Sequence, residues 1–125
     1  MGSNIQRTTY SMIVARLINE HRVKANISQT QFLDRIGMTQ SSWSRINRGL
    51  SHFSLEELRL ACEALAQKMP DLIKKADKAA NLLPEKEGIE VLQTTKASEN
   101  KSLIPTIIAS AVLGFLIARL LQPKQ

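Results

Sequence analysis

Cysteine and histidine are scarce in this 125-residue chain, and their scarcity removes several classes of function. Cys62 is the single cysteine, which excludes an internal disulfide and a cysteine-clustered zinc site and fits a reducing compartment. The two histidines are His21 and His52, and neither belongs to an HExxH pattern. There is no phosphate-cradling glycine loop and no nucleophile with histidine and acid partners, so neither an enzyme nor a metal or organic cofactor is expected. Cys62 lies on an apolar helical stripe and reads as a small core residue.

Acid is missing where it would matter for a polyanion. Between Asp34 and Glu56 there is no acidic residue, while Arg35, Arg45 and Arg48 fall in that stretch or at its edge. The chain carries 17 Lys and Arg against 11 Asp and Glu, and residues 1–80 hold 12 of the former and 7 of the latter. A basic balance alone does not select nucleic acid, but it is the electrostatic condition for approaching a phosphate backbone.

What fills the acid-free stretch is more specific. Ser28 is a good N-cap, and Phe32, Leu33 and Ile36 share one face of a helix over Gln29–Ile36. Gly37 supplies the backbone freedom for a helix end, and Thr39 can cap a second helix over Gln40–Asn47. Trp43 and Ile46 would turn inward there, leaving Gln40, Ser41, Ser44 and Arg45 outward, with Gly49 closing the helix. A Gln amide can pair with an adenine edge and an Arg with guanine or a phosphate. Any solvated helix is polar outside, so the polarity alone does not decide between a reader and a plain helical hairpin.

The arrangement resembles the XRE-type helix-turn-helix family of lambdoid phage repressors and Cro, over about residues 10–80. The opening Ser28 and Gln29, the turn at Gly37 and Thr39 and the terminal Gly49 carry the resemblance. It implies that Gln29 holds a phosphate and that Gln40, Ser41 and Arg45 face base edges of double-stranded DNA, with Ser44 on the same side. Arg35 and Arg48 are the further phosphate candidates. The family tends to pair an Arg in its first helix with an acid near the end of the recognition helix; here Arg22 faces Asn47 instead. Either Asn47 and backbone oxygens satisfy Arg22, or it turns to solvent or phosphate.

The flanking sequence completes an all-α, five-helix domain over residues 10–83, after an N-terminal arm at 1–9. Val14, Ile18 and His21, then Ile27, align along a first helix starting near Ser11, and His21 is read as a packed core residue. Ser54 and Glu57 form a capping box before a stripe of Leu55, Leu58, Cys62, Leu65 and Met69. Pro70 can start a fifth helix, with Ile73, Ala76, Ala80 and Leu83 on one face and Pro84 ending it.

Charge is missing again from Leu103 to Ala118. As one helix, Leu103–Leu121 would be about 28 Å long, close to the roughly 30 Å of a hydrocarbon core, so residues 103–121 are expected to span a membrane. Residues 84–102 would be a polar linker and 122–125 a tail. Pro105 falls in the first turn, and Arg119 and Lys124 can reach the interface. Lys96 and Lys101 balance them on the near side, so DNA binding would have to set the orientation: single-pass, N-terminus in the cytoplasm, on the inner membrane of a bacterium. Ser110, Gly114 and Ala118 form a small-residue row that would let two such helices self-associate in lipid. The competing reading buries this helix against protein.

Two functions fit these features. One is a membrane-tethered, sequence-specific DNA-binding regulator of bacterial, phage or mobile-element origin, acting as a homodimer on paired half-sites. The other is a membrane-anchored protein-binding module similar to the RodZ group, in which the same fold contacts a cytoplasmic protein partner. The polar, basic outward face of the second motif helix favours the first.

Overall fold

Thr9 opens the first helix: its hydroxyl accepts from the Met12 amide at 3.1 Å, and α1 then runs Tyr10–Lys24. The computed structural model describes residues 5–93 and 107–122. Met12, Ile13, Val14, Ala15, Leu17 and Ile18 of α1 are all buried, on more than one face. Such an all-round apolar helix must be enclosed, and α1 is, by α3, α5, α6 and a short strand. His21, expected in the core, is half-buried at the edge of this packing. Desolvation, followed by the charge of Lys75 and Lys24, holds its imidazole below the usual histidine range, with Glu20 opposing.

The next helices follow their local signals. Helix α2 is Gln29–Ile36 and α3 is Gln40–Asn47, capped by Ser28 and Thr39. Helix α4, Leu55–Ala64, starts from a capping box in which the Ser54 hydroxyl and the Glu57 carboxylate each accept from the other residue's amide. Leu58, Cys62 and Leu65 are buried as expected, joined by Ala61, but Leu55 is 74% exposed because the first position of α4 faces away from the core.

Helix α5, Met69–Glu87, runs past Pro84, which was expected to end it. Pro84 lacks the N–H that would bond the Ala80 carbonyl and crowds that carbonyl, but only three helical residues follow it, so the disturbance is confined to the last turn of α5. The helix ends instead at Gly88, and the chain closes through Ile89 N–H to the Leu83 carbonyl at 3.1 Å, both side chains being buried. Its buried face is Leu72, Ala76, Ala79 and Leu83, with Ile73 and Ala80 at the edge.

A small sheet departs from the all-α expectation. Strand β1, Arg7–Thr9, pairs in parallel with β2, Glu90–Leu92, in the register Arg7 to Glu90, Thr8 to Val91 and Thr9 to Leu92. Part of the expected arm and part of the expected linker are thus ordered against each other, with an Arg7–Glu90 ion pair at 2.7 Å. The linker residues 94–102, with Lys96 and Lys101, lie outside the described residues, as do Leu103–Thr106 with Pro105, the end of the tail and Met1–Asn4.

The C-terminal helix gives the membrane expectation no support among the described residues. Helix α6 is Ser110–Leu120, about 16 Å long, and among the described residues no helix is long and apolar enough to cross a membrane. It lies on α1 and α5, with Leu113 and Ile117 fully covered and Arg119 paired to Glu87. An apolar helix escapes water equally against lipid or an apolar protein surface, and here the surface belongs to the same chain. Of the small-residue row, Gly114 meets α1. A Cβ on Gly114 would stand 2.8 Å from Arg16 Nε, so the glycine lets the Arg16 side chain of α1 lie close against α6.

Candidate nucleic-acid interface

Three aromatic rings hold α3 in place. Trp43 meets Phe32 of α2 edge-to-face at 6.0 Å and 73°, and Phe53 of the α3–α4 loop at 6.2 Å and 62°. With Trp43 6% and Ile46 2% exposed, the rotation of α3 about its axis is set. The opposite face then presents Gln40, Ser41, Ser44 and Arg45, all exposed.

The turn between the helices is equally determined. Gly37 takes the left-handed conformation, φ 68°, and Met38 N–H bonds the Leu33 carbonyl at 3.0 Å while its side chain is buried. Ser28 and Gln31 cap α2 reciprocally, so Gln29 sits in the first turn beside free backbone N–H groups, which suits an anion.

Gln29 Nε2 donates to Gln40 Oε1 at 2.7 Å, which brings the phosphate candidate and the first base-reading candidate together. Gln40 keeps its two N–H donors and a second lone pair, enough for an adenine edge. Arg45 Nη2 donates to the Leu50 carbonyl at 3.1 Å, and Arg48 Nε to the Ser44 carbonyl at 3.4 Å. Arg45 is steadied by the loop after α3 and Arg48 by the last turn of α3, and both guanidinium groups retain further N–H donors. Arg35, in the last turn of α2, is exposed.

A helix-turn-helix domain family matches residues 13–74, from α1 into the first turns of α5. Residues 13–74 are thus similar to a helix-turn-helix domain. No curated protein and no solved structure matches the chain. The family match suggests a DNA-binding or regulatory role, with DNA as the partner it points to.

Within the helix-turn-helix domain, Arg22 is satisfied in a way the sequence left open. Its Nη1 donates to the Ile27 carbonyl at 2.7 Å, and Nε and Nη2 to Asn19 Oδ1 at 3.2 and 2.8 Å. Asn47 is occupied elsewhere, donating to the Trp43 carbonyl at 2.8 Å. Asn19 went unnoticed in the sequence, although it lies three residues before Arg22, where a helix brings side chains together. Ser42 is a similar case: it faces solvent on α3, but its amide and hydroxyl are both bound by Thr39 Oγ1, at 3.0 and 3.1 Å, which makes it part of the cap.

Proposed function

We propose that the helix-turn-helix domain reads a base sequence in the major groove through α3, in the manner of the XRE-type repressors, as a transcriptional regulator of bacterial, phage or mobile-element origin. The observation that carries this is the face of α3: four polar or basic side chains turned outward by the Trp43 and Ile46 anchors, in a stretch without acid from Arg35 to Leu55. Gln40 and Arg45 are assigned to base edges with Ser41 and Ser44 between them, and Gln29, Arg35 and Arg48 to phosphates. Two copies on paired half-sites would supply enough contact for a specific site.

The reading places the domain where DNA is, in the cytoplasm, and it does not depend on a membrane. A span built from Leu103–Leu121 would have to leave α1 and α5, giving up the burial of Leu113 and Ile117. The test is sequencing of DNA crosslinked to the full-length protein in its native cell, beside a Gln40→Ala, Arg45→Ala double variant. Sharp peaks sharing an inverted repeat, lost in the variant, are expected. A diffuse or variant-insensitive signal would contradict the proposal and turn attention to a protein partner.

A further inference from the structure

We propose that the groove between α1, α5 and α6 binds a single-chain anionic amphiphile, a long-chain carboxylate, with its chain on an apolar floor and its head among lysines. The groove is about 610 Å³, within the size of small-molecule sites. Its floor is Leu17 of α1 with Ile117, Ala118 and Leu121 at the end of α6. Its rim carries four ammonium groups, Lys24 at the end of α1 and Lys74, Lys75 and Lys78 on α5.

The rim charge is poorly balanced. Glu20 is the one acid lining the groove, and it pairs with Lys24 at 3.8 Å. Among the described residues Lys74, Lys75 and Lys78 make no ion pair, although Lys74 and Lys78 are one turn apart and repel each other. Apolar floor and cationic rim together select a ligand with one anionic end, since a neutral chain leaves the lysines uncompensated and a cationic one is repelled. A concave site of this size takes one chain rather than a flat bilayer, and the outward residues Val112 and Phe115 of α6 do not line it.

This site stands independently of DNA reading. The test titrates isotope-labelled full-length protein with laurate, with dodecyltrimethylammonium, with dodecyl maltoside and with phosphatidylglycerol vesicles, following backbone amide shifts. The expected result is saturable laurate binding below its micelle concentration, with shifts centred on Ala118, Leu121 and Lys78, weakened about tenfold in Lys74→Gln, Lys78→Gln. Both lysines are exposed, so the variant should keep its fold, which the unshifted remainder of its spectrum would verify. Equal affinity for the cationic or neutral amphiphile, undiminished binding in the variant, shifts centred elsewhere, response to vesicles alone, or no binding would each overturn the proposal.

Discussion

Gly37 and the glutamine pair show how single residues set the interface. A Cβ at Gly37 would touch nothing within 4 Å, so Gly37→Ala should cost only the left-handed backbone penalty, about 1–2 kcal/mol, measurable by urea unfolding. At α3, Gln40→Ala and Arg45→Ala should each cost about 1–3 kcal/mol at the cognate site and relax the preferred base there. Gln29→Ala should weaken every sequence, and through its bond to Gln40 it should also loosen the base that Gln40 reads; binding titrations on cognate and scrambled duplexes separate the two effects. The outward residues of α3 were legible because Trp43 and Ile46 fix the helix face by spacing alone. The partners of Arg22 and Arg45 were not, since the Ile27 and Leu50 carbonyls become acceptors only once loops are folded.

Elements whose signals are local were readable, and elements that depend on distant contacts were not. Ser28, Thr39 and Ser54 marked three helix starts from short-range chemistry. Strands β1 and β2 are three residues each and pair across most of the chain, so no periodicity could announce them. Hydropathy likewise cannot distinguish a helix that meets lipid from one that meets a protein surface, so the packing of α6 on α1 and α5 is not legible in its sequence. Its docking makes a direct claim about stability. Leu113→Ala should destabilise the whole domain by about 2–4 kcal/mol, because it opens a cavity between α6 and the core, whereas a helix held in lipid would leave the domain's unfolding unchanged. Gly114→Leu should disturb the same interface by displacing the Arg16 guanidinium, and loss of amide-exchange protection in α6 would report it.

At the scale of the molecule, one small core supports both the outward face of α3 proposed to read DNA and a separate lysine-rimmed groove beneath α6. The edge of that core titrates. Because the folded state holds His21 below its ordinary pKa of 6.5, chiefly by desolvation, the unfolded chain takes up the proton first as pH falls. Stability should therefore be full above about pH 6.5 and decline below it, and His21→Gln should flatten that decline in unfolding experiments run across this range. The central claim concerns α3, and selection of duplexes from a random-sequence library by the full-length chain tests it most directly, in parallel with Gln40→Ala and Arg45→Ala. The account expects an enriched inverted repeat in which each variant relaxes a different position of the half-site. No enrichment, or the same motif from all three proteins, would contradict it.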